Sequence, residues 1–166
     1  MDYLIAPIAE RHIEGFRDAL DCVARERRYL AFLEAPPLDV TAEFVRANIR
    51  DGNPQFVAEV GTSVVGWCDV VRGSRAVFRH CGYLGIGLMA PYRGCGIGRA
   101  LMKATLASAV TRGFTRIELT VRADNTRAIS LYEALGFITE GRLRRHMLVD
   151  GEYHESLVMS VIPGEA

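Results

Sequence analysis

One stretch, Leu84 to Arg112, constrains this chain more than any other. It reads L-G-I-G-L-M-A-P-Y-R-G-C-G-I-G-R-A-L-M-K-A-T-L-A-S-A-V-T-R. The apolar run Leu84 to Met89 has the character of a buried strand, and Arg93-Gly94-Cys95-Gly96-Ile97-Gly98-Arg99 is a glycine turn. From about Ile97 the pattern is helical as far as Gly113, a natural residue to follow a helix C-terminus. Strand, glycine turn and helix is a layout that binds phosphate. The first amides of a helix have no internal acceptor, and the helix dipole places partial positive charge there. Glycines let the backbone approach an anion and adopt conformations that a Cβ forbids.

Three phosphate-binding readings compete for this turn, beside the plain alternative of a glycine turn that holds no ligand. A P-loop needs G-x-x-x-x-G-K-[ST], and no Gly-Lys pair is near. A dinucleotide turn needs G-x-G-x-x-G with an acidic residue about 20 positions on. Here the spacing is Gly94-x-Gly96-x-Gly98 with Glu118 at about that distance, so the last glycine falls one residue early. The third reading, Arg93-x-x-Gly96-x-Gly98 after a strand, fits the spacing and depends on a second motif downstream.

Composition narrows the class. A chain of 166 residues, 49% apolar and 24% charged, can bury a core as one domain, 1–166, without covalent staples. No apolar run approaches the roughly 18 residues that cross a bilayer, and the N-terminus has no secretory pattern. A formal net charge of zero argues against a nucleic-acid surface. Cys22, Cys68, Cys81 and Cys95 show no C-x-x-C spacing and no metal-type grouping with histidine, so no metal is expected. Reduced thiols and a cytoplasmic location are the expectation.

Taken in order, Tyr3 to Pro7 reads as a strand and His12 to Leu33 as a helix, with Ile13, Phe16, Leu20 and Val23 on one face. The run Arg25-Glu26-Arg27-Arg28 on that helix reads as a solvated face, or as a contact for an anionic substrate group. After Ala35-Pro36-Pro37, Asp39 or Thr41 can cap a second helix that ends at Gly52. Gln55 to Val60 and Ser63 to Val71 form a hairpin about Gly61-Thr62, and Phe78 to Met89 resumes strand character. The helix after the glycine turn leads to an alternating strand, Arg116 to Val121, a crossover that makes the two strands parallel neighbours. A short helix, Thr126 to Leu135, follows Asp124-Asn125, and Gly141 to Val149 and Tyr153 to Ile162 flank the hairpin signal Asp150-Gly151. The total is an α+β (mixed α/β) domain with about seven strands in one central sheet and about four helices.

The short helix carries the second motif. Asn125 and Tyr132 are seven residues apart and share a helix face. The segment Asn125-Thr126-Arg127-Ala128-Ile129-Ser130-Leu131-Tyr132-Glu133-Ala134-Leu135-Gly136-Phe137 completes the pattern N-x-x-A-x-x-x-Y-x-x-x-G-F. With the glycine turn about 30 residues upstream, it resembles the GCN5-related N-acetyltransferase (GNAT) superfamily, in particular a bacterial subgroup that includes small-molecule and amino-acid acetyltransferases. The resemblance covers Leu84 to Val161, through E-G-R-L-R-R and D-G-E-Y-H-E. It implies a mostly antiparallel mixed sheet whose one parallel strand pair splays apart at the acetyl-CoA site.

That resemblance implies an acetyl-CoA-dependent enzyme with a primary amine of a small molecule as acceptor. Backbone amides over Gly94, Cys95, Gly96, Ile97, Gly98 and Arg99 would hold the diphosphate, with Arg93 and Arg99 adding charge. A backbone N–H at Leu88 or Met89 would stabilise the thioester oxyanion. Asn125 would bond the pantetheine arm, or act only as a helix cap. Tyr132 would protonate the departing thiolate, or serve only as a core aromatic. Cys95 stands where the family commonly has Lys, Arg or Gln. Relatives often place a glutamate on the strand before the loop, and none stands there. Glu118, Thr120, His80, Asp69 and His154 are the polar candidates for a base, and no choice among them follows. Acetylation of a protein N-terminus or lysine, and a non-catalytic acyl-CoA sensor, are the alternative functions. The final hairpin could pair across a homodimer.

Overall fold

The computed structural model describes residues 2–165. Seven strands form one sheet in the order β1-β2-β3-β4-β5-β7-β6. In chain order they are β1 (Leu4–Pro7), β2 (Gln55–Val60), β3 (Ser63–Arg72), β4 (Cys81–Leu88), β5 (Arg116–Arg122), β6 (Ile138–Val149) and β7 (Glu152–Val161). Four α-helices, α1 (Ile13–Ala24), α2 (Leu38–Asp51), α3 (Ile97–Thr111) and α4 (Thr126–Glu133), cover its two faces. The expected counts of strands and helices therefore hold among the described residues, and so does the parallel crossover from β4 to β5.

The sheet separates two apolar layers because alternate residues of a strand point to opposite faces. On β3, Trp67 packs with Phe16 and Leu20 of α1 and Val45 of α2. Its neighbour Cys68 joins Ile97, Leu101 and Met102 of α3 and Tyr132 of α4 on the other side. Phe16 meets the Trp67 ring edge-on, with centroids 5.5 Å apart, a favoured aromatic geometry.

The decisive feature lies between β4 and β5. They pair in parallel over only three positions, Cys81 with Arg116, Gly82 with Ile117 and Tyr83 with Glu118. Beyond them β4 stays bonded to β3 as far as Leu88 opposite Gly66, while β5 stays bonded to β7 as far as Arg122 opposite Ser156. The sheet opens there into a fork.

Among the boundaries that differ from the sequence expectation, including the end of α4 at Glu133 and the start of β6 at Ile138, three have an evident cause. The first helix ends at Ala24, not Leu33. Arg27 takes a left-handed conformation, φ +53°, and Asp21 accepts from the Ala35 N–H at 2.9 Å, so tertiary bonds fold this segment back. The N-cap position of the second helix is Pro37, whose ring holds φ at −52°, and Thr41 turns its hydroxyl back to the Pro37 carbonyl. A 3-10 turn, Ala76–Phe78, replaces the start of the predicted long strand before β4. The Asp150-Gly151 turn is as expected, with φ +50° and +82°.

Glycine at position 87 is fixed by packing. A Cβ there would stand 2.1 Å from the Trp67 indole, which lies across β4. Gly87→Ala should therefore destabilise the protein by about 1–3 kcal/mol, the usual cost of overpacking, read as a fall in the urea midpoint at unchanged slope.

Candidate active site

The fork leaves the inner edges of β4 and β5 without partners, and ladder geometry decides which groups face it. The Met89 N–H donates to the Val65 carbonyl at 2.9 Å. Antiparallel pairs alternate between bonded and non-bonded, so Leu88, opposite Gly66, turns its N–H and C=O towards the fork. Of the two amides expected to stabilise an oxyanion, Leu88 is the one available, and Met89 is corrected: its hydrogen is already used.

Past Met89 the chain makes a 3-10 turn, Ala90–Tyr92, and enters the glycine loop. Gly94 and Gly96 both have positive φ, +80° and +84°, and a Cβ at either would meet open space. Gly96 caps α3 with no side-chain bond, and the helix ladder begins only with the Ala100 N–H on the Gly96 carbonyl. Among the described residues, the amides from Gly94 to Arg99 therefore lack an acceptor. They form an exposed set of oriented N–H donors at the positive end of a 15-residue helix. These are the amides to which the sequence expectation assigns the diphosphate.

The two flanking arginines part company. Arg99 is exposed and forms no ion pair with a described residue. Arg93 is committed elsewhere: its Nε donates to the Leu88 carbonyl at 2.8 Å, and Nη1 and Nη2 donate to Glu26 at 2.9 and 2.6 Å. A planar guanidinium satisfies a carboxylate in this two-pronged way, which leaves Arg93 as a strut between the fork and the end of α1 rather than free charge in the loop. Glu26 is a site residue that the sequence reading missed, because it lies 67 positions away and inside an apparently solvated run. Cys95 is exposed, and its only bond is a weak one to the Arg93 carbonyl.

The N-terminal turn of α3 packs against α4. A Cβ on Gly98 would make an ordinary contact with Leu131 at 3.5 Å, so the two helices lie side by side here without the packing itself demanding glycine. Asn125 caps α4 by accepting from the Ala128 N–H at 3.3 Å, and its amide nitrogen bonds no described residue. Tyr132 is buried to within 6% of its surface, in the same apolar cluster as Ile97 and Cys68. Burial pushes its phenol well above the ordinary range, with the neighbouring Cys68 thiol adding to the shift. No described residue bonds its hydroxyl, yet that oxygen is not among the occluded unpartnered atoms. The group is a neutral proton donor that reaches accessible space.

The candidates for a base separate equally well. Glu118 is held by Arg116 at 3.2 Å. His80 precedes the far end of β4, about eight residues and thus roughly 25 Å from Leu88 along the strand, and it bonds Cys81. Thr120 lines a cavity of about 360 Å³ on the α1–α2 face, together with Tyr29, Leu33, Arg122, His146 and Ser156. Arg122, itself buried, donates from Nη1 to the Arg28 carbonyl at 2.7 Å and from Nε to Asp124 at 2.7 Å. Arg27 grips Asp150 with both prongs, at 3.0 and 2.5 Å. The basic run is thus tied to the final hairpin, and Arg27 is no open contact for an anion. Among the described residues no group of His, Cys, Asp or Glu could hold a metal ion, and no helix is long and apolar enough to cross a membrane.

Comparisons with known proteins give the family of the chain. Residues 19–137 match the model of the Acetyltransferase (GNAT) family. The chain belongs to that family, and as a member it is an acetyl-CoA-dependent acyltransferase. It is 32% identical over 112 residues to the L-amino acid N-acetyltransferase AaaT of Escherichia coli K12, covering 67% of this chain and 69% of that protein. It is 38% identical over 68 residues to the ribosomal protein bS18-alanine N-acetyltransferase of Salmonella typhimurium, 41% of this chain and 45% of that one. In fold it is similar to a phosphinothricin acetyltransferase from Sinorhizobium meliloti solved with acetyl-CoA, with a TM-score of 0.86, 22% identity, and 100% and 91% of the two chains covered.

The cradle yields a direct check. Gly96→Asp places a Cβ on a residue with φ +84° and a negative charge among the free amides. Acetyl-CoA affinity should fall at least tenfold by calorimetry, and equal affinity would remove this loop from cosubstrate binding.

Proposed function

We propose that the protein transfers the acetyl group of acetyl-CoA to the primary amine of a small molecule, an amino acid or related amine, by direct attack in a ternary complex. The observation that carries the acceptor class is the cover over the α1–α2 face. The segment between α1 and α2 is fastened to the hairpin tip by Arg27 and Asp150, and to β5 by Arg122. Beneath it lies a half-open cavity of about 360 Å³, near the lower end of ligand pockets and of a size for a small amine. The named activity of the amino-acid relative supports the same class.

In this reading the free amides from Gly94 to Arg99, with the Arg99 charge, hold the diphosphate. Asn125 offers its free amide nitrogen to the pantetheine arm. The Leu88 N–H donates to the thioester oxygen as negative charge develops there, from a strand edge already oriented before reaction. Tyr132 gives its proton to the departing thiolate, and its raised pKa keeps that proton in place at neutral pH.

A thiol-release assay with acetyl-CoA against free amino acids, polyamines, aminoglycosides and short peptides tests the acceptor. Turnover is expected with the amino acids. Turnover confined to peptides would make the protein a peptide or protein acetyltransferase. Silence throughout, with acetyl-CoA still raising the melting temperature, would favour an acyl-CoA sensor. With the best amine, Tyr132→Phe should leave acetyl-CoA affinity unchanged and lower kcat by about 10- to 10³-fold. An unchanged kcat would remove Tyr132 from the mechanism.

A further inference from the structure

Asp69 is a buried carboxylate that, unlike Glu59, pairs with no described residue. It lies on β3 with 7% of its surface exposed, on the α1–α2 face, opposite Gln55 of β2 and Gly85 of β4. No described residue donates to its oxygens, yet neither oxygen is among the occluded unpartnered atoms, so the carboxylate opens onto accessible space. Its cross-strand neighbour Gln55 shows the complementary defect. Gln55 Oε1 accepts from Asn48 at 2.9 Å, while Nε2 is buried with no acceptor. An orphan donor on the residue opposite an unpartnered acceptor is a setting in which proteins hold water.

The surroundings point this carboxylate at the fork. A Cβ on Gly85 would stand 3.4 Å from Asp69 Oδ1, so the acid lies over the glycine strand rather than beside a side chain. Gly85 is two residues past Tyr83, the last β4 residue paired with β5, which puts Asp69 at the closed end of the fork. Leu88 is three residues further along, about 10 Å, and because the Trp67 indole covers Gly87 on this face, water linking the two runs along the open edge of β4.

We propose that Asp69 accepts, through water held against Gln55, the proton that the acceptor amine loses as it attacks the thioester. The balance is complete. The amine N–H breaks and a proton passes along the water to an Asp69 oxygen. The nitrogen lone pair forms the new C–N bond, the C–S bond breaks, and the thiolate takes its proton from Tyr132. The proposal rests on acyl transfer to an amine, and not on the size of that amine.

Electrostatics agree with the placement. Burial alone pushes Asp69 up to about 7, so the carboxylate is a far better base at neutral pH than an ordinary aspartate. The charged groups on the same sheet face are engaged elsewhere: Glu59 of β2 with Arg11, and Glu118 of β5 with Arg116. From β4 the titratable neighbour is Tyr83. α1 and α2 present Phe16, Leu20, Val45 and the neutral Asn48 to this face.

Two measurements test it. Direct carbon-13 NMR titration of the aspartate carboxyls, assigned by difference with Asp69→Asn, needs no acceptor and should show Asp69 titrating near 7. Titration near the ordinary value of about 4 would overturn the proposal even if the amine panel were silent. With the best amine, the wild-type pH profile of kcat/KM should rise and bend near 7. Asp69→Asn should lower kcat/KM about 10²–10³-fold at pH 7, lose that bend, and recover towards high pH as free amine accumulates. An Asn variant that keeps the bend would also overturn it. Folding is checked independently. The folded protein holds the Asp69 proton more tightly than the unfolded chain, so wild-type stability falls as pH rises from about 4 to 7, and Asp69→Asn should melt higher than wild type at pH 8.

Discussion

The separation of β4 from β5 after three residue pairs is the constraint on which the rest of the site depends. Each strand keeps its outer neighbour throughout, β3 for β4 and β7 for β5, so the sheet is two well-bonded halves joined along a short seam. Backbone groups on the open part of that seam would be costly to bury without partners. One of them, the Leu88 carbonyl, is met by Arg93. The Leu88 N–H is left facing the gap, and a strand edge of this kind suits an extended ligand that carries amides of its own. The glycine loop and the start of α3 lie directly beyond Leu88, so one chain segment supplies both the anion cradle and the oriented donor.

The acceptor side is assembled differently, by ion pairs between segments distant in sequence. Glu26 bonds Arg93, Arg27 bonds Asp150, and Arg28 offers its carbonyl to Arg122. Exposed pairs of this sort contribute little to stability singly, and Arg27 and Asp150 are both well exposed. Their role here is geometric. They fasten the segment after α1 over β5 and the final hairpin, and the bond of Arg93 to both Glu26 and Leu88 ties that cover to the open edge of β4. Movement of the cover would therefore be felt at Leu88 through a single side chain.

This contrast explains what could be read from the sequence. The half from β4 to β7 was legible because its signals are local: a glycine loop with the φ values only glycine favours, an asparagine that caps the helix it precedes, and an Asp-Gly turn. The boundary of α1 was misplaced because the residues past Ala24 still carry helical periodicity, while what ends the helix is a left-handed Arg27 and contacts with Asp21, Arg93 and Asp150. No local rule announces partners 67 or 123 residues away. The choice between Leu88 and Met89 was open for a related reason, since it depends on the register with β3, and a shift of one residue would exchange them. Asp69 was one polar residue among several in the sequence. Only its burial opposite Gln55 and Gly85 distinguishes it.

In the proposed mechanism the sheet also divides the proton chemistry. Tyr132 belongs to the layer with α3 and α4, while Asp69 lies on the face with α1 and α2, and the fork joins the two sides. Burial raises the pKa of both groups, with opposite consequences. A phenol raised further above neutrality remains protonated and serves as a donor, whereas a carboxyl raised to about 7 becomes an effective acceptor near neutral pH. The same desolvation that destabilises each charged form thus gives the two faces complementary roles. Acetyl transfer to an amine releases one proton from nitrogen and consumes one at sulfur. A partition with an acceptor on one side, a donor on the other and an oriented amide in the gap suits that sequence.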